Sequence, residues 1–481
     1  MDIKILIKTL GGLFIILGVF LIIPGVLGPN AWGETQGVFF SVGGLTLIIG
    51  LLLWFTLRKH NVDVNHRTGF AVVSLSWLFA GLIGGLPYFI SGHVSSYLDA
   101  YFESISGFTG TGSSILTSIE ALPKPLLLWR SMTQWLGGMG IIVFFIAILP
   151  VMGIKGTSIF KAEVTGPSKD KITPRVRETA KKLWLLYFGY TALLAIGLAY
   201  AGMSPYDAIC HSMTTLSTGG FSTRNAGIAA FNSPLIDYLI ITFMILGSIN
   251  FALHYRLMAR RDISIFKDSE MRWYLFLTVL FTAICTYATW GAQYQSFEEA
   301  FRLSLFTVAG TASSTGFTNP DYALWAPVTQ LSVLFLMVMG GSSGSTAGGV
   351  KCVRLITAAK QMSRELKQLV HPKAIFMVKS GERSIPDSVL SLIWGFLFLY
   401  LFMFSIIAIV LTFEGVEIVA AGSAALSALS NIGPGLGEVG PTGNYAHLGS
   451  TSKIILTLGM MLGRLEFYTV LVIFTPMYWR K

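Results

Sequence analysis

The sequence predicts an all-α polytopic membrane protein: two N-terminal transmembrane helices, then four repeats of transmembrane helix, P-loop (pore loop) and transmembrane helix around a pseudo-fourfold axis. Three observations carry that expectation. The 481-residue chain is 53% hydrophobic and 12% charged, with a mean hydropathy of +0.66, outside the range of soluble domains. Ten apolar stretches are each long enough to cross a hydrocarbon core of ~30 Å. Finally, the chain repeats itself: Asp99 to Gly112 aligns without gaps on Asp207 to Gly220, with Ala100/Ala208 and Ser104/Ser212 identical and hydroxyls paired at Ser106/Thr214 and Thr109/Ser217.

The ten stretches lie near residues 10–27, 38–57, 69–90, 127–151, 183–201, 235–255, 272–290, 328–357, 388–413 and 452–476. The first follows Lys4 and Lys8 without a small-residue cleavage site, so it is read as a retained helix. Basic residues gather between alternate spans: Arg58, Lys59 and Arg67, then Lys155 to Lys182, Arg256 to Arg272, Lys351 to Arg383, and Arg480 with Lys481. By the positive-inside rule both termini are cytoplasmic and every re-entrant segment enters from outside, in a multi-pass membrane protein. The net charge of +10 therefore reports topology, and no basic face or stripe suits nucleic acid.

The expected domains are 1–68, the N-terminal helix pair; 69–152, pore repeat one; 153–256, a basic cytoplasmic linker plus repeat two; 257–360, repeat three with an interrupted inner helix; and 361–481, a linker plus repeat four. The repeats proper cover 69–152, 179–256, 270–360 and 386–477, and the linkers are too short for a soluble catalytic domain. Cys210, Cys285 and Cys352 lack disulfide or ligand spacing and are expected as buried thiols. His93, His211 and His447 form no metal-ligand pair and are expected at the surface or in packing. Trp129, Trp135, Trp273, Trp290, Trp325 and Trp479 lie near span ends and read as interfacial anchors, and Lys453 as a snorkelling one.

Two more segments, ending in Ser313-Ser314-Thr315-Gly316 and Ser430-Asn431-Ile432-Gly433, share the form of the repeated pair: a short apolar helix that breaks into small polar residues and a glycine. Non-helical backbone at membrane depth is tolerated only where protein buries it or water and ions line it, so the four breaks face a pore. Glycine suits them because successive carbonyls can be aimed at one axis only by residues free to take positive φ. The expected filter is Gly110, Thr111 and Gly112; Thr218, Gly219 and Gly220; Ser314, Thr315 and Gly316; and Asn431, Ile432 and Gly433. In each trio the two residues before the glycine point their carbonyls inward in place of an ion's water. A short helix descending from outside aims its negative C-terminal end at the pore, and acids on the outer loops, among them Glu34, Asp99, Glu103, Asp207 and Glu438, add a cation-attracting field. Small residues that only let helices pack closely would explain one such loop but not four at matched places.

The span from Val328 is interrupted by Gly340, Gly341, Ser342, Ser343, Gly344, Ser345, Thr346, Ala347, Gly348 and Gly349. Each helical glycine costs about 1 kcal/mol against alanine, so this run reads as a flexible loop across the pore under the filter. A phosphate-binding loop would want Ser or Thr after its lysine, whereas Lys351 precedes Cys352. Arg464 lies inside the last span, where a charge must face protein or water. Glu466, two positions on, does not share its helical face, so Arg464 is expected as a positive barrier in the pore that donates to carbonyls of the 340–349 loop.

Together these features resemble the Trk/Ktr/HKT superfamily of potassium transporters, and within it the TrkH-type potassium uptake subunits. The resemblance rests on Phe102-Glu103-Ser104 through Thr111-Gly112, Gln134-Trp135-Leu136-Gly137-Gly138-Met139-Gly140, Gly219-Gly220-Phe221-Ser222-Thr223 and Thr315-Gly316-Phe317. It extends to Gly340–Gly349 with Lys351 and Arg354, Asn431-Ile432-Gly433-Pro434-Gly435-Leu436-Gly437-Glu438, and Gly463-Arg464-Leu465-Glu466. It implies potassium as the ion at the filter glycines Gly112, Gly220, Gly316 and Gly433, a gate formed by 340–349 and Arg464, and no organic cofactor on this chain. It also implies a homodimer on which a cytoplasmic TrkA-like nucleotide-binding regulatory ring docks. Gly110 stands where such proteins often carry a hydroxyl residue, and Ser113-Ser114 follow the glycine, which leaves the stringency for potassium over sodium open.

Three functions compete on the sequence. A channel-like potassium uptake subunit fits it best. A symporter coupled to sodium is compatible with backbone ligands, while proton coupling is disfavoured by the scarcity of intramembrane carboxylates. A membrane enzyme would need clustered His, Asp, Glu or Cys at membrane depth, and the sequence offers none.

Overall fold

The computed structural model describes residues 2–27, 35–58, 66–140, 176–319, 321–380 and 383–480. Among the described residues, six helices are long and apolar enough to cross a membrane, and two bent helix pairs qualify when each is taken as one span. The first helix, Ile3–Val26, starts where Asp2 caps the amides of Lys4 and Ile5. It pairs antiparallel with Thr35–Thr56, at a distance set by small residues: a Cβ on Gly18 would press into the backbone of Gly43 and Leu47.

Each unit then follows one plan. The outer helices are His66–Ile90, Val176–Tyr200, Ser269–Thr289 and Asp387–Phe413. Apolar side chains on them stay exposed, Ile196, Val279 and Phe398 among them, as a surface facing hydrocarbon must be. The pore helices are Tyr97–Thr109, Pro205–Leu216, Phe297–Ala312 and Ile418–Ser430; the third has 16 residues against 13 in the first. Inner helices follow at Lys124–Gly138, Pro234–Ser248, Pro327–Met339 and Ser450–Leu465.

The inner elements depart from the sequence reading. The spans expected as continuous at 235–255 and 452–476 are both broken: Pro234–Ser248 meets Phe251–Arg260 at 98°, and Ser450–Leu465 meets Phe467–Phe474 at 111°. At the first break Asn250 caps the new helix through the amide of Ala252, and at the second Glu466 takes φ 58°. The stretch 328–357 is the 13-residue helix Pro327–Met339, the glycine-rich loop, and a new helix Cys352–Val370. The stretch 141–175, with the end of the fourth expected span and most of the first basic linker, lies outside the described residues, as do Glu34 and Lys59.

Several side chains read as interfacial are core. Trp129 is fully buried and donates to the carbonyl of Gly84 at 2.9 Å; Trp135, stacked on Tyr187, and Trp325, edge-on to Tyr294, are also buried. Lys453 does not snorkel: it is buried and paired with Asp99 at 2.7 Å, 354 positions away in the chain. Trp273, Trp290 and Trp479 are exposed, as interfacial anchors would be. The three cysteines are free and buried, and His211 is packed between Phe231 and Phe317.

Candidate cation filter and gate

After each pore helix the backbone enters the left-handed region, at Gly110 (φ 70°), Thr218 (52°), Ser314 (55°) and Asn431 (53°). Two residues later it returns there, at Gly112 (84°), Gly220 (78°), Gly316 (67°) and Gly433 (108°). Between these positions lie Thr111, Gly219, Thr315 and Ile432, whose amides turn back onto the pore helix. They donate to Ser106, Thr214, Gly310 and Ser427 at 2.9, 2.9, 2.8 and 3.1 Å. In a trans peptide the carbonyl points opposite its amide, so the carbonyls of the residues before them point away from the helix. The next amide in each loop, that of the glycine, is drawn to the same pore-helix residue, so a second carbonyl points away too.

The four loops close on one another in chain order. A Cβ added to Gly112 would collide with the carbonyl oxygen of Gly219, one on Gly220 with that of Thr315, one on Gly316 with that of Ile432, and one on Gly433 with that of Thr111. Each glycine thus abuts the middle carbonyl of the next unit, and the fourth returns to the first. Among the described residues no protein donor reaches the carbonyls of Gly110, Thr111, Thr218, Ser314, Thr315, Asn431 or Ile432, all of them buried. A buried acceptor without a donor costs several kcal/mol, on the order of 2–7 by transfer scales, and a cation at the centre of the ring would remove that cost. The C-terminal ends of the four pore helices converge there with partial negative charge. Outside the ring opens a cavity of about 140 Å³ on which all four filter glycines border.

Side chains hold the loops in place. The hydroxyls of Thr109 and Thr111 meet at 2.7 Å, as do those of Ser313 and Thr315. Asn431 donates to the Thr111 hydroxyl at 2.9 Å and to the Met460 carbonyl at 2.9 Å. Residues outside the expected site also reach the filter: Gln134 on unit two, and Ser113, Ser427 and Tyr445 on the carbonyl of Gly433. Of these, Gln134 left a trace in the sequence as the polar start of the Gln134-Trp135-Leu136-Gly137-Gly138 run, and Ser113 as the hydroxyl that follows Gly112.

Several of the acids expected to form an attracting field, Asp99, Glu103 and Asp207 among them, are paired with bases. Glu103 is paired with Arg130 at 2.6 Å, both side chains almost fully buried, and accepts from Ser114 and the Ile115 amide. Arg130 lies 3.5 Å over the ring of Phe221 and donates to the Ser222 carbonyl, so this pair clamps unit one to unit two. Asp207 binds Arg224 at 3.0 Å, Asp237 binds Arg302, and Glu438 lies 3.3 Å from His447. The arginine pairs offset the charges of Glu103, Asp207 and Asp237, and the dipoles of the pore helices would add to any attraction for a cation at the ring.

The 340–349 loop lies against the filter's inner residues. The Thr346 hydroxyl is 3.3 Å from that of Thr218, the Gly348 amide donates to the Ser314 hydroxyl at 2.5 Å, and a Cβ on Gly348 would come within 3.0 Å of the Asn431 Cβ. It is tied to the break in unit two: Ser342 N–H donates to the Ser248 carbonyl at 2.9 Å, and Phe251 N–H to the Gly344 carbonyl at 3.0 Å. One carboxylate oxygen of Glu270 accepts from the amides of both Ser343 and Val353, at 2.7 and 3.1 Å, and Lys351 donates to the Ala347 carbonyl. Arg464, half-buried, donates to the carbonyls of Thr346 (2.7 Å), Gly137 (2.6 Å) and Gly138 (2.9 Å). It therefore bridges the loop to the end of the inner helix of unit one. Glu466 turns elsewhere, to Arg354 at 2.5 Å.

Comparison with known proteins agrees over the whole chain. The TrkH family model, described as a cation transport protein, matches residues 35–481. The Trk system potassium uptake protein TrkH of Escherichia coli (strain K12) is 37% identical over 485 residues, covering 100% of both chains, and TrkG of the same strain is 32% identical over 92% of each. The crystal structure of the potassium transporter TrkH from Vibrio parahaemolyticus superposes with a TM-score of 0.90 at 35% identity, covering 100% of both chains. A ring of left-handed loops, a glycine-rich loop beneath it and full-length likeness to these transporters lead to one conclusion: the chain belongs to the TrkH family of cation transport proteins.

Proposed function

We propose that this chain takes up potassium across a bacterial inner membrane by a channel-like route, through a filter of main-chain carbonyls from 110–112, 218–220, 314–316 and 431–433. The observation that carries the reading is the cyclic contact of each filter glycine with the middle carbonyl of the next unit, in a ring whose buried carbonyls mostly lack protein donors among the described residues. Potassium as the ion is supported by the relatives, which are named as potassium uptake proteins. Residues 340–349 and Arg464 form the gate: the loop rests on three of the four units, and the guanidinium pins it with a positive charge.

In this reading each of the four repeats supplies one quarter of the pore, the termini are cytoplasmic, and the chain works as a homodimer. Relatives named as parts of a Trk system support a cytoplasmic TrkA-like nucleotide-binding ring that moves the gate. The test is ion flux through the purified chain in proteoliposomes, with potassium, sodium and pH gradients set independently. Potassium moving down its own gradient with neither of the others present is the expected result. Flux that requires a sodium or proton gradient would overturn the channel-like route in favour of a coupled symporter.

A further inference from the structure

Gly219 stands apart among the middle residues of the filter. Its carbonyl abuts Gly112 just as those of Thr315, Ile432 and Thr111 abut their own neighbours, so it sits at the same place in the ring. Yet it accepts a hydrogen bond, at 2.5 Å from Nε2 of Gln134, while the other three have no protein donor among the described residues. Gln134 is fully buried on the inner helix of unit one, 85 positions earlier in the chain. Its other amide atom, Oε1, accepts from the Phe221 N–H at 3.0 Å. The two contacts fix the amide's orientation, since a flipped group would face oxygen to oxygen and N–H to N–H. A Cβ on Gly219 would run into this carboxamide, so the glycine makes room for the clamp.

We propose that Gln134 is a positioning residue that raises the filter's preference for potassium over sodium, by pinning the Gly219 carbonyl and drawing off part of its electron density. The inference rests on the proposed filter. A carbonyl held from both sides of its loop cannot close in around a smaller ion. A carbonyl that already accepts an N–H presents a weaker field, which disfavours the ion with the more tightly held water. Size and field strength are rival accounts of such selectivity, and here both give the same sign.

The experiment compares the purified full chain with Gln134→Leu and Gln134→Met in proteoliposomes, reading potassium and sodium flux separately and thermal unfolding alongside. Loss of one hydrogen bond's worth of discrimination lowers the potassium-to-sodium flux ratio roughly five- to tenfold, chiefly through a rise in sodium flux. Gln134→Met keeps the side chain's length without donor or acceptor and carries the test if the leucine variant fails to assemble. A merely structural role would lower the melting temperature and both fluxes together and leave the ratio unmoved, which overturns the proposal. A wild-type chain that passes both ions equally would sink the filter reading itself and the role of Gln134 with it. A selective wild type with unchanged variants sinks the role of Gln134 alone.

Discussion

Replacing Gly316 by alanine tests the ring most directly, because two separate penalties meet there. The first is conformational: φ is 67°, and a non-glycine residue in the left-handed region costs about 1–2 kcal/mol. The second is steric, since the new methyl would strike the Ile432 carbonyl and lie 2.9 Å from Cδ of Pro434. Relieving an overpacked contact costs about 1–3 kcal/mol, and here it is relieved by moving a carbonyl out of the ring. Gly92 supplies the control: its φ is 74°, but nothing lies within 4 Å of an added Cβ, so Gly92→Ala carries the first penalty alone. Both variants are purified and assayed for thermal unfolding and for potassium and sodium flux. Gly92→Ala should lose a little stability and conduct as before. Gly316→Ala should fold yet lose potassium flux or its preference over sodium. If Gly316→Ala conducts as selectively as Gly92→Ala, the four loops do not share an ion, and the argument from ring closure fails.

Arg464→Gln keeps donors for the gate carbonyls but removes the charge. A cation passing ~5 Å from the guanidinium meets roughly 1 kcal/mol of repulsion at the dielectric of water and roughly 3 at an effective 20, so potassium flux should rise by a factor of about 5 to 150; unchanged or lower flux in a folded variant would contradict a pore-facing charge. Deleting 343–347 should likewise raise flux in the absence of any partner, and flux lost from a correctly inserted protein would make the loop a structural element. Glu103→Ala strands Arg130 without its buried partner, so the purified protein should lose about 3–5 kcal/mol in denaturant or thermal unfolding. Because the pair clamps unit one to unit two, Glu103→Ala combined with Arg130→Ala should cost less than the sum of the two single changes; strict additivity would deny the coupling.

The element order was legible because the membrane imposes a simple code: apolar length marks spans, bases mark one side, and glycine at a matched offset marks the places where backbone must leave the helix. Gly112, Gly220, Gly316 and Gly433 were found in this way, and all four take positive φ. The Arg464 contact with the 340–349 loop was also within reach, since a lone charge in an apolar span must find carbonyls or water. The breaks at 249–250 and at Glu466 were not, because Ser248-Ile249-Asn250 and Glu466 carry no strong breaker signal. Nor were the partners of Asp99, Glu103 and Asp237, whose bases lie in other helices.

By itself, then, the sequence determined what each short segment does locally: where it spans, where it turns, and which residues tolerate a left-handed backbone. Only the tertiary structure decided the cyclic order of the loops, the withdrawal of acids into ion pairs, the seat of the 340–349 loop and the hold of Gln134 on Gly219. The physical reason is range. Local conformation follows from sterics between residues a few positions apart, whereas a ring of carbonyls and its braces arise from contacts between segments tens to hundreds of residues apart, whose pairing no periodicity along the chain records.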